Sequence, residues 1–400
     1  MPAQGRRTFA RSALTGGFSL ALGAAFPMPA ASAQQTTSPT YVDVRQFGAK
    51  GDGKTDDTHA IQTALDTVAQ IGGLSQPVAI CMPPGVYCSR RVQMRSNTAL
   101  IGITAYDYSQ PGGSQIKLID GSASCLIDIS GTRGVTIQGL SLNGAKLGTN
   151  VHGIMREDPD PGTNLRAHEN ASRIEACQVA HFSGDGVHMM HSWAWTIRHS
   201  MIAYNGGHGL NYVGWDGFVH DCWLTNNRGA GFAVHGPDNF TSSVTFSGNR
   251  IEWNYLQGVL IENGSSFLQI TGNYFDRQYL SAIAVTPGNT PSPCSHITIT
   301  GNFFYRSGKS APPESLDSSH LRLEEASGIT CVGNAFRAGD DSGSDKAPCS
   351  PSYGICYKNL QNCVITNNVF HQGAMKTLIM GDGGTGVIVE NNPGSLLVAG

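Results

Sequence analysis

Three segments decide the fold: TFSGNRI (245–251), QITGNYF (269–275) and TITGNFF (298–304). Each reads as a short alternating strand, a Gly-Asn turn, and a second short strand that ends on a large apolar residue. The same unit returns upstream as TIQGLSL (136–142), RIEACQV (173–179), TIRHSMI (196–202) and FVHDCWL (218–224). Downstream it returns as TCVGNAF (330–336) and VITNNVF (364–370). The turn residue is in turn Leu140, Cys177, Ser200, Cys222, Asn249, Asn273, Asn302, Asn334 and Asn368, with Asn392 placed for one more. A fixed core with elastic insertions, too short for crossover helices, is what one coil of a parallel β-helix requires. A propeller needs about four strands per repeat, and a leucine-rich solenoid would show its leucine pattern. The expected fold is all-β, a single-stranded right-handed parallel β-helix. Each coil adds a layer of about 4.8 Å, so the asparagines should stack as an inward amide ladder, each bonding to the coil above and below.

Outward from these repeats, the N-terminal part reads differently. Thr58 to Ile71 has helical periodicity, with Ile61, Leu65, Val68 and Ala69 on one stripe and Asp56-Asp57-Thr58 as the capping region. Such a helix is placed to cover the first coil and protect its open edge. VAICMPPGVYCS (78–89) reads as two strands around a turn. The first 33 residues are an address: Arg6-Arg7 in RRTFARSAL, an apolar stretch from Leu14 to Phe26, and Ala31-Ser32-Ala33 before a cleavage point. The expected organisation is a twin-arginine signal peptide (1–33), a linker (34–40) and one β-helix domain (41–400), with its cap at about 41–90 and coils at about 91–392. The destination would be the periplasm or the medium.

Composition narrows the function. Charged residues make up 14% of the chain and the net charge is -3, which gives no electrostatic reason to bind nucleic acid or an anionic membrane. Ten cysteines do not define a connectivity, and their spacing to the histidines makes no zinc motif. Export would permit some pairs to oxidise, while buried free thiols are the default for several.

A second strand recurs in each coil, opened in most by a small residue: GVHMM (186–190), GLNYV (209–213), GFAVH (231–235), GVLIE (258–262), AIAVT (282–286), HLRLE (320–324) and GICYK (354–358). Alternation sends the second and fourth positions inward. The outward columns then carry His188, Asn211, His235, Glu262, Thr286, Arg322, Glu324 and Lys358, which gathers acids, bases and hydrogen-bonding groups on one sheet. Glu262 and Glu324 should stand two coils apart, roughly 9 to 10 Å between Cα atoms. That suits an inverting pair with a water between the carboxyls, one protonated and one ionised. Asp185, Asp216, Asp238 and Asp276 at coil ends can lean over the same face, as can Asp340-Asp341. Each is more often an Asx cap, and aspartates at coil ends could instead form a calcium site. No cofactor is otherwise expected. Trp193, Trp195, Trp215, Trp223 and Trp253 cluster between residues 190 and 255 and serve either as sugar platforms or as core filling. The insertions from Ser307 to Ser319 and from Gly339 to Tyr353 are placed to wall the groove.

FGAKGDGKTDDTHAIQTAL (47–65), followed by MPPGVY (82–87), resembles the opening of the pectate-lyase-like β-helix superfamily. Polygalacturonase-like hydrolases, rhamnogalacturonases, epimerases, fructotransferases and tailspike depolymerases share that opening. The resemblance implies a polysaccharide or oligosaccharide substrate, and, through the tailspikes and fructotransferases, a homotrimer as one assembly. SGDG (183–186) and GGHG (206–209) echo two motifs of the polygalacturonase-like hydrolases, but GDD occurs late (339–341) and RIK is absent, so that family's catalytic aspartates are not carried over. Three readings follow. Hydrolysis or intramolecular transfer would rest on Glu262 and Glu324, with His235, Asp185 and Arg322 near the chemistry and His188, Asn211, Trp215, Asp216, Asp238 and Lys358 binding substrate. A lyase or epimerase acting on uronic-acid polymers would need a base and a group that neutralises the uronate, with Arg322, His235 and Lys358 as candidates. A non-catalytic carbohydrate-binding helix would show a tryptophan-lined face and no convergent acids.

Overall fold

A computed structural model describes residues 41–395, apart from 72–76, 109, 160–168, 237–241, 309, 338–349 and 372–376. The expected signal peptide and linker therefore lie outside the described residues, as do Asp238, Asp340 and Asp341. The described chain winds as a right-handed parallel β-helix with three faces. A first face runs from Cys125–Asp128 through His152–Glu157, Phe232–His235, Val259–Glu262, Ile283–Val285 and Ser319–Glu324 to Tyr353–Gln361 and Thr377–Thr385. A second face holds the leading strand of each repeat, and a third its trailing strand. The third face is a 12-stranded sheet; the first two merge into a 22-stranded one. They merge because Val187–Arg198 and Leu210–His220 run across both faces without a corner.

The amide ladder is present and fully satisfied. Asn249, Asn273, Asn302, Asn334, Asn368 and Asn392 each donate from Nδ2 to the next coil's Oδ1, at 2.9 to 3.0 Å where a next member exists. The same oxygen accepts the previous coil's backbone N–H, as in Asn273 N to Asn302 Oδ1 at 2.9 Å. The remaining amide hydrogen goes to a backbone carbonyl, Ile270 O for Asn302. Cys222 occupies the same position, its backbone N–H bonded to Asn249 Oδ1, and Cys177 holds it one coil earlier than Ser200. A second ladder went unread in the sequence: Asn205, Asn227, Asn254 and Gln278, linked at 3.0 to 3.1 Å at the corner that leads into the first face. It explains the small residue that opens the first-face strands. A Cβ on Gly209 would lie 2.8 Å from Asn227 Nδ2 and 2.5 Å from Gly231 O.

Apolar residues fill the space between the ladders. Phe275, Phe304, Phe336 and Phe370 stack ring on ring at 4.7 to 5.0 Å. The alternation of the first face holds: Val187, Met189, Leu210, Tyr212, Phe232, Val234, Val259, Ile261, Ile283, Val285, Leu321 and Leu323 are all fully buried. His320 departs from it. A histidine stands where other coils have a small residue, and it is buried among Phe304 and Phe336 with its pKa pushed down to about 3 by desolvation.

The helix spans Thr58–Ile71 as expected and buries Ala60, Ile61, Ala64, Leu65 and Val68 over the first coil; Ala69 is only half-buried. The motif before it acts as a buckle. Asp57 accepts from Lys50 N and Gly51 N, while Gly51 O accepts from Val86 N at 2.8 Å, so the loop is tied both to the helix start and to MPPGVY. Gly51 takes φ +62 with the Tyr87 ring 2.9 Å from where a Cβ would stand, so no other residue fits. Among the described residues nine cysteines are free thiols and eight of them are buried, which sends Cys177, Cys222 and Cys331 up to about 12. Cys81 and Cys88 are both free, and Cys349 lies outside the described residues.

Replacing Asn302 with Ala removes the acceptor of both the Asn273 backbone N–H and its amide. Leaving buried donors unpaired costs about 1–3 kcal/mol each, so Asn302→Ala should lower stability by about 3 kcal/mol, measurable as a shift in the urea midpoint.

Candidate active site

The register of the first face brings titratable groups together in columns. His188 pairs with Asn211, and Asn211 with Ala233; one column over, His235 pairs with Glu262. A third column sits at the corner, one residue before each opening glycine: His152, Asp185, His208 and then Ala230. Gly153 N bonds to Asp185 O and Gly186 N to His208 O, which stacks these residues coil upon coil. His152 and His208 were missed as site residues. Their signal was present, as HG, DG and HG (152–153, 185–186, 208–209) repeat one position before the strand.

Asp185 is the hub. Its Oδ2 faces His188 Nδ1 at 2.8 Å and accepts from Asn211 Nδ2 at 3.0 Å, and its Oδ1 accepts from His208 N at 2.7 Å. Burial pushes its pKa up, but the His188 hydrogen bond, the His208 charge and the Asn211 amide outweigh this and hold the carboxyl below the usual range. His152 stacks on His188 with ring centroids 4.3 Å apart, and its Nδ1 accepts the Asp185 backbone N–H. One coil on, His208 Nδ1 accepts Ala230 N at 3.0 Å, and a further coil on His235 Nδ1 meets Glu262 Oε1 at 2.9 Å. The His208 and His235 rings are 6.2 Å apart.

These partners assign tautomers. An Nδ1 that accepts a backbone N–H carries no proton, so neutral His152 and His208 hold theirs on Nε2 and are donors there. An Nδ1 that faces a carboxylate donates, so neutral His188 and His235 keep a basic lone pair on Nε2. Burial first, and neighbouring histidine charge next, lower the pKa of His152; burial likewise lowers His208 against the pull of Asp185. Glu262 is lowered too, chiefly by the hydrogen bond from His235. The Nε2 of neutral His235 is thus left as an acceptor one coil from an Nε2–H donor on His208.

Several expected roles change. Glu262 and Glu324 do lie two coils apart, with Ile283–Val285 between their strands. However, Glu262 is driven toward its ionised form, and Glu324 is clasped by Arg322 at 2.6 and 3.0 Å. An inverting pair needs one carboxyl kept protonated, and neither site supplies the apolar setting for that. Arg322 is held between acids: burial lowers its pKa, but Asp317 and Glu324 outweigh this and raise it. Its Nη1 is bound to Asp317 at 2.8 Å, delivered by the Ser307–Ser319 insertion, which folds onto this face. Trp215 is 7% exposed and cannot offer a ring face to a sugar. Trp195 is core, while Trp193, Trp223 and Trp253 are half-buried. Asp216 is exposed and accepts from Trp193 Nε1. Asp276 is bound by Arg306 and Arg277, away from the first face on a third-face strand. Lys358 is exposed and in register beside Glu324. Among the described residues no helix is long and apolar enough to cross a membrane.

Residues 124–304 match the family model described as a right-handed beta helix region. The chain is 32% identical over 217 residues to alginate lyase 7 of Azotobacter vinelandii, covering 50% of this chain and 24% of that protein. It is 27% identical over 228 residues to that organism's mannuronan C5-epimerase AlgE6, covering 51% and 23%. The chain thus spans about a quarter of the length of these curated relatives. Among solved structures, the A-module of Azotobacter vinelandii mannuronan C-5 epimerase AlgE4 superposes with a TM-score of 0.65 at 20% identity, over 90% of this chain and all of that one. The DFA-IIIase of Arthrobacter chlorophenolicus A6 without its lid gives 0.64 at 15% identity, again over 90% and 100%. The fold is a right-handed parallel β-helix like that of these structures. Its first face carries a cluster of two histidines and an aspartate that is capable of coordinating a metal ion.

Acid should loosen this region. His152 and His208 have folded pKa values below the unfolded value of about 6.5, so below that pH the unfolded chain binds protons that the folded chain refuses. Stability rises with pH across that window and is lost as pH falls through it. Asp185, also lowered, adds a further loss below about pH 4. Urea midpoints at pH 7 and pH 5 should therefore differ, and His208→Gln, which has no proton to refuse, should shrink the difference.

Proposed function

We propose that this protein acts on a uronic-acid polymer by removing the proton at C5, as a lyase or an epimerase, rather than by hydrolysis. The observation that carries the reading is the His235–His208 pair: a basic Nε2 backed by Glu262, next to a neutral Nε2–H donor. Abstraction of the C5 proton by His235 leaves the electron pair delocalised into the sugar's carboxylate. In elimination that pair then expels the C4 oxygen, which His208 Nε2–H steadies by a hydrogen bond and which takes back the proton held by His235. In epimerisation a water polarised by His208 protonates C5 from the opposite side, the His235 imidazolium neutralises the hydroxide, and the chain stays whole. Either outcome uses the same two imidazoles and needs no protonated carboxyl, in keeping with the lowered pKa of Glu262. The similarity to a lyase and an epimerase, each over about half of this chain, supports the same chemistry. Asn211 and Lys358 are placed along the face for substrate hydroxyls and carboxylates. Export through the twin-arginine leader belongs to the same proposal, since such polymers lie outside the cytoplasm.

The test is incubation of the mature protein with mannuronate, guluronate and galacturonate polymers in heavy water, followed by mass spectrometry. Unsaturated ends would establish elimination, and deuterium at C5 in uncut chains would establish epimerisation. Fragments carrying one added water would overturn the proposal. His235→Ala and His208→Ala should each lower kcat/KM by roughly 10²–10⁴-fold.

A further inference from the structure

The second amide ladder carries a column of residues at the corner between the third face and the first. Each ladder member, Asn205, Asn227, Asn254 and Gln278, is followed by one of them: Gly206, Arg228, Tyr255 and Tyr279. Backbone bonds keep the column in step, Arg228 N to Asn205 O at 2.8 Å, Tyr255 N to Asn227 O at 2.9 Å and Tyr279 N to Asn254 O at 3.0 Å. Tyr279 and Tyr255 stack ring on ring at 4.5 Å, and the Arg228 guanidinium lies 4.1 Å over the Tyr255 ring. At Gly206 the stack stops. A Cβ there would lie 2.3 Å from Ser183 O, so the gap is built into the backbone. One coil adds about 4.8 Å, which makes the gap a slot one layer deep, bounded on one side by Arg228.

The residues just before the ladder form the other wall. The His181 and Tyr204 rings stack at 5.5 Å, and Lys146, on the coil before, is tied by its backbone N to His181 O at 2.8 Å. Together these groups line a cavity of about 450 Å³, the size of a small-ligand site. Its charge is one-sided. Among the described residues no carboxylate lines the recess, and none pairs with Lys146 or Arg228. Stacking on Tyr255 uses the face of the guanidinium and leaves its N–H edge for a planar acid. Aromatic and amide groups beside two cations suit a sugar ring that carries the acid rather than a bare ion. Ser183 and Gly206 stand two residues before Asp185 and His208, at most about 7 Å of chain. A polymer lying on the first face therefore reaches the recess by crossing this corner.

We propose that the recess anchors a uronate unit of the polymer away from the reacting bond, with Arg228 pairing its carboxylate through two N–H groups and Lys146 adding a second charge. The choice of a uronate rests on the reading of the His235–His208 pair as acting at C5; the recess itself stands on its own geometry.

Calorimetric titration of the whole mature chain with mannuronate, guluronate and galacturonate oligomers, and with a neutral oligosaccharide of matched length, tests this. The parent should bind at least one uronate series, and more tightly than the neutral chain. Arg228→Gln and Lys146→Gln should each weaken that binding by roughly 10-fold. Their circular dichroism melts should stay those of the parent, since both residues are exposed. Arg228→Lys should restore only part of the loss, because an ammonium offers no paired fork. On a polymer that is converted, the two Gln variants should raise KM and leave kcat unchanged. No binding of any uronate oligomer by the parent, binding that both Gln variants leave intact, or a neutral chain held as tightly overturns the site. Uronate binding that Arg228→Gln weakens, without conversion of any polymer, keeps the site and removes the C5 chemistry. Conversion with KM unchanged in both Gln variants removes the site and keeps that chemistry.

Discussion

Everything on the first face depends on the register of the coils, and the register depends on buried amides. A β-strand alternates its side chains, so a slip of one residue would turn His188, His235 and Glu262 into the core. Apolar stacking alone resists such a slip weakly, because Ile, Val and Leu exchange places at little cost. An asparagine whose oxygen takes two hydrogens from the coil before it and whose nitrogen gives two to neighbouring coils tolerates no such exchange. The two ladders overlap in the coils of Asn249 with Asn254 and of Asn273 with Gln278, where both corners are pinned. The inner ladder, through Asn205, Asn227 and Asn254, lies directly below the corner that carries Asp185 and His208. Rigidity of the site is thus a by-product of solving the buried-amide problem.

That same corner explains the chemistry. The strand-opening glycine is forced by the amide beneath it, and the residue before the glycine is therefore held with its backbone against the next coil. Its side chain points along the groove from a fixed base. Three consecutive coils place His, Asp and His there, and the stacking that brings them close also desolvates them. Desolvation keeps the imidazoles neutral, whereas donors converging on Asp185 keep it ionised. The environment has separated one acid and one base by polarity rather than by residue type, which is how a row of similar side chains acquires different tasks.

The sequence spoke clearly where a signal repeated and was tied to burial. The Asn249-to-Asn368 column, the alternation of the first-face strands and the Thr58–Ile71 helix could all be read without coordinates. The Asn205 ladder escaped notice because its members are flanked by irregular insertions and change to Gln at 278. The site was half visible. His188, Asn211, His235 and Glu262 stand in strands, where alternation gives direction. His152 and His208 stand at corners, where periodicity says nothing about where a side chain points. Partner choice was hidden as well: an outward Arg322 looks the same in sequence whether it faces substrate or, as here, Asp317 and Glu324.

Choosing between an acid pair and an imidazole pair comes down to which groups are left uncommitted. Four carboxylates on this face are paired: Asp185 with His188 and Asn211, Glu262 with His235, and Glu324 and Asp317 with Arg322. A carboxylate held this way orients its partner. On the function proposed above, the working atoms are the far nitrogens of the histidines, and two tautomeric orders leave an acceptor on His235 beside a donor on His208.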